Sequence, residues 1–223
     1  MHHLINRLFN SHVDKHPYFA TLNGVWSFLY AYNHCEKRTG TKPSLWRRDR
    51  FFNLLSFLRS TYQLHGDIAE LGCYRGLSSN LMLHTMKTEI NYEYEGDDYH
   101  IFDSFEGLNE QMPGHFSATE EHVKEVLKHF PKVTYHKGWI PETFKNLPEK
   151  QYKFVHVDVD TPTPTIASFD YFYPRMVNGG VIVCDDYASP VWDGLKEAVD
   201  TWCKEHGVTA IPLSTCQLVI LKN

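Results

Sequence analysis

Four aspartates carry the most pointed chemistry in this sequence. Asp158 and Asp160 close the run Phe154-Val-His-Val-Asp-Val-Asp160, and Asp185 and Asp186 lie near the end of Gly179-Gly-Val-Ile-Val-Cys-Asp-Asp-Tyr187. Before its acids each run is short, β-branched and nearly all apolar, the pattern of strands buried on both faces of a parallel sheet. The carboxylates then fall at the carboxyl ends of two strands, the edge at which open α/β sheets bind ligands. Carboxylates gathered there repel one another unless a cation joins them, and hard divalent cations prefer oxygen ligands. The expected chemistry is that of a divalent cation held in oxygen.

A second stretch, Gly66-Asp-Ile-Ala-Glu-Leu-Gly-Cys-Tyr-Arg-Gly-Leu-Ser-Ser79, offers a place for an organic ligand. Ile68, Ala69 and Leu71 predict a short strand and Leu77 to Met86 a helix, with Gly72 and Gly76 bracketing the turn between them. Glycines there permit a tight turn and close approach of a ligand to backbone, and the helix amides favour an anionic group. Ser78 and Ser79 add hydroxyls near the helix start. The pattern is neither the dinucleotide fingerprint nor a P-loop, and a glycine turn alone also serves simply to join strand to helix. Tyr99-His-Ile-Phe-Asp103 predicts the next strand. Its terminal acid is placed to accept hydrogen bonds from both hydroxyls of a ribose, or else only to cap a turn. Val133 to Lys137 predicts a third strand, followed by Gly138 and Trp139, whose indole either stacks on an adenine or packs into the core.

The elements that must position these residues follow from periodicity. Strands are expected at 67–71, 99–103, 133–137, 153–158 and 180–185, separated by helices, with a closing antiparallel pair at 208–211 and 217–221. The predicted fold is a Rossmann-like, doubly wound α/β sheet of seven strands, mostly parallel with an antiparallel last strand and helices on both faces. Ser117-Ala-Thr-Glu120 reads as a capping box opening a helix through Val123, Val126 and Leu127 towards Pro131. Thr163 to Val177 is the next helix, with Ile166, Phe169 and Tyr173 inward, and Ser189-Pro190 reads as the start of a helix over Val191 to Cys203. Ahead of the sheet, residues 1–65 read as an amphipathic helical extension or lid, and 66–223 as the ligand-binding domain. In the extension Leu4, Ile5, Leu8 and Phe9, then Leu22, Trp26, Leu29 and Tyr30, fall at helical spacing. A further helix over Leu45 to Leu64 has Phe51, Leu54, Leu55 and Leu58 on one face and Arg47, Arg48 and Arg59 off it.

A chain of 223 residues with 42% hydrophobic and 14% aromatic content can fill one core and carry an extension. The net charge of −5 argues against a nucleic-acid or anionic-membrane surface. No apolar run approaches the roughly 20 residues of a membrane span. The N-terminal residues show no secretory apolar region. Cys35, Cys73, Cys184, Cys203 and Cys216 have neither zinc spacing nor a disulfide framework and read as small core residues in a reducing, cytoplasmic setting.

Taken together, Glu-Leu-Gly-Cys-Tyr-Arg-Gly-Leu-Ser-Ser, Phe-Asp-Ser-Phe-Glu-Gly-Leu, Lys-Gly-Trp-Ile-Pro-Glu-Thr-Phe, His-Val-Asp-Val-Asp and Asp-Asp-Tyr resemble the macrocin-type sugar O-methyltransferases of antibiotic biosynthesis, over roughly residues 64–205. The resemblance implies S-adenosyl-L-methionine as methyl donor, magnesium or another divalent metal, and a small hydroxylated acceptor, a sugar or glycosylated metabolite. It implies that Glu70, Gly72, Cys73, Tyr74, Gly76, Ser78 and Ser79 line the methionine side of the donor. Asp103 with Ser104 and Phe105 would take its ribose, Gly138 and Trp139 its adenine, and Asp158 would also face it. Asp158, Asp185 and Asp186 match the metal ligands, with Asp160 orienting one of them. A metal chelated by neighbouring hydroxyls lowers the pKa of the attacking oxygen and fixes its aim at the methyl carbon. In one respect the chain departs from the family: several members carry an acid shortly after Asp-Asp-Tyr that can serve as base, whereas here Ala188 directly follows Tyr187. Asp193 is the nearest substitute, expected on the first turn of the next helix, while His156 reads as a packed histidine on its strand. Methylation of a catechol or phenol, and a donor-binding protein without turnover, stay open beside the sugar reading. A homo-oligomer is expected from the apolar N-terminal helices.

Overall fold

A computed structural model describes residues 22–108 and 114–223. In chain order they form α1 (Leu22–Thr39), α2 (Leu45–Ser60), β1 (Asp67–Leu71), α3 (Leu77–Glu89), β2 (Tyr99–Asp103), α4 (Glu120–Val126), β3 (Thr134–Lys137), β4 (Tyr152–Val157), α5 (Pro162–Phe172), β5 (Met176–Cys184), α6 (Leu195–His206), β6 (Thr209–Pro212) and β7 (Leu218–Leu221). The strands make one sheet in the order β3-β2-β1-β4-β5-β7-β6. The first five run parallel and β7 is antiparallel to both β5 and β6, as the sequence predicts. No described helix is long and apolar enough to cross a membrane.

Strand alternation sorts the sheet into two buried faces. Ile68, Phe154, Val181, Val183 and Val219 pack on one side with Phe51, Leu54 and Leu58 of α2 and Leu81 of α3. Ala69, Val155, Val157, Ile182 and Ile220 pack on the other with Phe169 and Phe172 of α5 and Trp202 of α6. The described part of the N-terminal extension thus shares a core with the sheet. Two cross-ties reinforce this: Arg38 Nη2 donates to the Val126 carbonyl (2.6 Å) and Arg75 Nε to the Thr39 carbonyl (2.8 Å). Cys35, Cys73 and Cys184 are free, buried thiols.

The boundaries that differ from expectation have local causes. Helix α2 stops at Ser60 because the Thr61 N–H and hydroxyl both fold back onto the Leu58 carbonyl. Helix α4 is capped by Thr119, whose Oγ1 accepts from the His122 N–H, and not by Ser117, so the N-cap lies two residues later than predicted and, with His122 at the third helical position, the capping box does not form. Pro174 closes α5 in a tight 3-10 turn over Tyr173–Arg175, which gives Val177 to β5 instead of to a helix. Helix α6 begins at Leu195 after a left-handed Gly194. Ser189-Pro190 therefore opens a loop, and Asp193 lies in that loop, not on a helical turn. The helix expected around Leu4 to Phe9 and the Leu22 and Trp26 side chains fall outside the description; Leu29 is buried and Tyr30 is exposed.

One close approach fixes the junction of β1 and β4. Gly72 has φ +82, and a Cβ there would lie 1.9 Å from the Asp158 carbonyl oxygen. Gly207 has a similar φ of +60 with nothing within 4 Å. Gly72→Ala is expected to cost about 3 kcal/mol or more of unfolding free energy, while Gly207→Ala costs about 1 kcal/mol from backbone strain alone. Urea denaturation of the two variants checks this, and equal losses would contradict the contact.

Candidate active site

Hydrogen bonds beyond the strand ends align four loops along one edge. Gly138 N–H donates to the Asp103 carbonyl (3.0 Å), Gly72 N–H to Phe102 (2.9 Å), Asp158 N–H to Leu71 (2.8 Å) and Asp185 N–H to Val157 (2.9 Å). Each bond extends a parallel pairing by one step, so the residues after β3, β1, β4 and β5 are set side by side at the carboxyl edge. Parity then decides which side chains meet. Glu70, His156 and Asp158 follow Ile68 and Phe154 on the α2–α3 face, Asp185 follows Val183, and Gln217 precedes Val219.

These side chains form one buried polar network. His156, with no exposure, lies between Glu70 (Nδ1 to Oε1 3.2 Å) and Asp185 (Nε2 to Oδ1 3.6 Å, an ion-pair contact). Burial opposes charge on this imidazole, but the Asp185 and Glu70 carboxylates raise its pKa to about 10, which makes it a buried cation. Glu70 also accepts from Ser79 Oγ and from the Tyr99 hydroxyl (2.8 Å). Asp185 accepts from Gln217 Nε2 (2.6 Å), and Arg50 of α2 donates through Nη2 to both Asp185 Oδ2 and Asp186 Oδ1, the latter at 2.9 Å. Against the cost of its own burial, Arg50 and His156 pull Asp185 down to about 2. Burial acts against the charge on Arg50 as well, yet Asp185, Asp186 and Asp158 outweigh it and hold the guanidinium above its ordinary range.

Asp158 and Asp160 are the uncompensated members. Burial first, then the charges of Asp185 and Asp186, push Asp158 well above the usual carboxylate range. Burial and Asp186 push Asp160 to about 8. Carboxylate oxygens of Asp158, Asp160 and Asp186 lie within 4.8 Å of one another, and the same holds for the ligand atoms of His156, Asp158 and Asp185. This is a hard, oxygen-rich donor set with too little positive charge beside it.

The glycine turn and the end of β2 are tied together by Asp103. Its Oδ2 accepts from the Cys73 (2.7 Å) and Tyr74 (3.1 Å) amides, and its Oδ1 from the Phe105 amide (2.7 Å). Three of roughly four acceptor positions on the carboxylate are thereby used in shaping the turn. Ser104 Oγ accepts from the Glu106 amide (3.1 Å), and Gly107 passes so near His115 that a Cβ would lie 2.3 Å from its carbonyl oxygen. The Asp-Ser-Phe-Glu-Gly run is thus a pair of side-chain-closed turns.

The structure brings Gly72, Cys73, Tyr74, Asp103, Ser104, Phe105, Gly138 and Asp158 to the edge, with Gly76 at the left-handed N-cap of α3. Tyr74 and Trp139, each 37% exposed, present aromatic surface there. Glu70 and Ser79, at 0% exposure, and Ser78, also buried, lie behind the edge, with Ser79 Oγ donating to Glu70. Asp193 is exposed on the loop after β5. Arg50 and Gln217 are additions. Arg50 could have been found from its place four residues before Leu54 and eight before Leu58 on the apolar stripe, where a charge must be paired. Gln217 carries no comparable signal.

A family model described as Macrocin-O-methyltransferase (TylF) matches residues 45–218. The 8-demethyl-8-(2,3-dimethoxy-alpha-L-rhamnosyl)-tetracenomycin-C 4'-O-methyltransferase of Streptomyces olivaceus is 24% identical over 166 residues, covering 65% of this chain and 60% of that protein. The Mycinamicin III 3''-O-methyltransferase of Micromonospora griseorubida is 22% identical over 165 residues, covering 65% and 63%. The chain therefore spans less than two thirds of the length of these relatives. Among solved structures the O-methyltransferase NovP superposes with a TM-score of 0.67 at 19% identity, over 78% of this chain and 79% of that one. TomG from Streptomyces achromogenes, solved in complex with SAM, gives 0.54 at 15% identity, over 86% and 90%. These likenesses establish the fold. The family match runs from the start of α2 to the first residue of β7 and includes the glycine turn, the Asp103 turn and the acidic network, and the chain belongs to the macrocin O-methyltransferase family.

Proposed function

We propose that this protein transfers the methyl group of S-adenosyl-L-methionine to a hydroxyl on the sugar of a glycosylated small molecule, with a divalent metal, magnesium by its chemistry, at the acidic cluster. The observation that carries the reading is the placement of the glycine turn with Asp103 and the Asp158, Asp185 and Asp186 carboxylates on adjacent loops of one edge. Supporting it, the family is one of O-methyltransferases, one curated relative is named for a rhamnosyl-bearing acceptor, and a structure of the same fold was solved with this donor.

In this reading the amides of Cys73 and Tyr74, fixed by Asp103, set the backbone against which the donor lies, and Gly72 and Gly76 keep side chains out of its way. One acceptor position on Asp103 is left for a ribose hydroxyl. Tyr74 and Trp139 supply apolar surface for the adenine. Asp158, Asp185 and Asp186 would hold the metal, and a cation there would relieve the burial and carboxylate repulsion that raise the proton affinity of Asp158 and Asp160. A divalent ion there supplies Lewis acidity, lowering the pKa of an acceptor hydroxyl. Asp160 sits beside Asp158 and Asp186 to orient them. Asp193, exposed on the loop that leaves the same edge, takes the acceptor proton. The extension over 1–65 acts as a lid, its α2 delivering Arg50 to the acidic network.

Methyl transfer to a rhamnoside acceptor is expected to need a divalent metal and to stop in excess EDTA. Full activity in EDTA would overturn the metal part of the reading. Asp158→Asn should abolish magnesium stimulation and leave S-adenosylhomocysteine affinity within about threefold, since it removes charge but not bulk from the donor side. Asp103→Ala should weaken that affinity by about tenfold or more, because three amides lose a charged acceptor. Asp193→Asn should lower kcat by about a hundredfold at unchanged donor affinity if it is the base. Calorimetric titration of the donor product with parallel initial rates separates these outcomes.

A further inference from the structure

Arg50 brings a full positive charge to the acidic network from a helix outside the sheet. Its Nη2 bonds Asp185 Oδ2 and, at 2.9 Å, Asp186 Oδ1. Those oxygens belong to two of the three carboxylates assigned to the metal. Asp185 has little spare capacity, since its other oxygen takes the Gln217 amide (2.6 Å) and faces His156 (3.6 Å). A guanidinium and a metal ion cannot use the same lone pairs, and two cations a few ångströms apart in a buried site repel strongly. The arginine also has somewhere to go. Its guanidinium lies over the Trp46 ring (4.5 Å to the centroid), and Trp46, one turn earlier on α2, is 48% exposed. An indole face at the protein surface can keep the guanidinium after it leaves the carboxylates.

We infer that Arg50 is a resident counter-cation, that a divalent metal enters by displacing its guanidinium from Asp185 and Asp186, and that this residue sets the metal affinity of the site. The inference rests on the metal reading above. It assigns α2 a role beyond packing: the helix carries the charge that neutralises Asp185 and Asp186 before metal arrives. Metal occupancy and the anchoring of the first half of α2 are then linked, because the metal breaks one of the ties between the helix and the sheet edge, beside the Gln217 Nε2 bond to the Arg50 carbonyl (3.2 Å) and the Asn53 Nδ2 bond to Thr215 Oγ1 (3.0 Å).

The test is a Mn2+ titration, read by loss of the free-ion electron paramagnetic resonance signal, on the wild type, Arg50→Met and Arg50→Lys, each checked for folding by circular dichroism. Displacement predicts that Arg50→Met binds Mn2+ about tenfold more tightly or better, with Arg50→Lys between it and the wild type. It predicts further that guanidinium ion weakens Mn2+ binding to Arg50→Met more than sodium chloride of equal strength does. Equal or weaker Mn2+ binding by folded Arg50→Met overturns the inference and makes Arg50 a support of the site. Absence of Mn2+ binding in both wild type and Arg50→Met overturns the metal reading beneath it. Should Arg50→Met fail to fold, amide exchange of the wild type decides: Mn2+ is expected to speed exchange over residues 46–52, and unchanged or slower exchange overturns the displacement.

Discussion

Burying carboxylates side by side at the end of a sheet costs free energy twice, through lost hydration and through mutual repulsion. Two buried cations, Arg50 and His156, compensate Asp185, and Arg50 also reaches Asp186; Asp158 and Asp160 are left with raised proton affinity. Much of the architecture around β4 and β5 can be understood as the means of keeping that partly neutralised cluster in place. Ser79 and Tyr99 fix Glu70, Glu70 and Asp185 hold His156, and Gln217 and Arg50 hold Asp185. A network of this kind is stable when its members are satisfied and sensitive to the loss of any one.

Strand parity connects the network to the fold. Glu70 and His156 share the α2–α3 face because each stands two residues from a core residue on its strand, Ile68 and Phe154, and Asp158 follows His156 in the same parity. The opposite face, filled mainly by Phe102, Phe169, Phe172 and Trp202, seats α5 and α6, with His100 and His136 stacked beside Phe102. The polar network is thus set among the core residues of one face of the sheet, and the crossing of the β4 loop over Gly72 locks the acidic edge to the glycine turn.

Much of this was legible in the sequence. Strands β4 and β5 and the acids at their ends follow from β-branched runs that stop at aspartates, a strong local signal, and the other strands from short apolar runs bounded by glycine and polar turns. The helix starts at Ser117 and Ser189 were misplaced because capping residues cluster there: Thr119 and Gly194 compete with them, and only packing selects between candidates. The buried position of Glu70 could not be read locally, since it depends on Tyr99, Ser79 and His156 arriving from three other elements. Arg50 lay in view on an apolar stripe, but its partners stand more than a hundred residues away, and no local pattern names them.

The central claim is that the acidic edge is a metal site beside a methyl-donor turn. Anomalous diffraction at the manganese edge, from crystals grown with Mn2+ and S-adenosylhomocysteine, tests it most directly. The account predicts a single strong peak bounded by Asp158, Asp185 and Asp186, with the donor product lying against Cys73 and Tyr74 and the Arg50 guanidinium withdrawn towards Trp46. A peak elsewhere, or none at these carboxylates with the donor product bound, would contradict it.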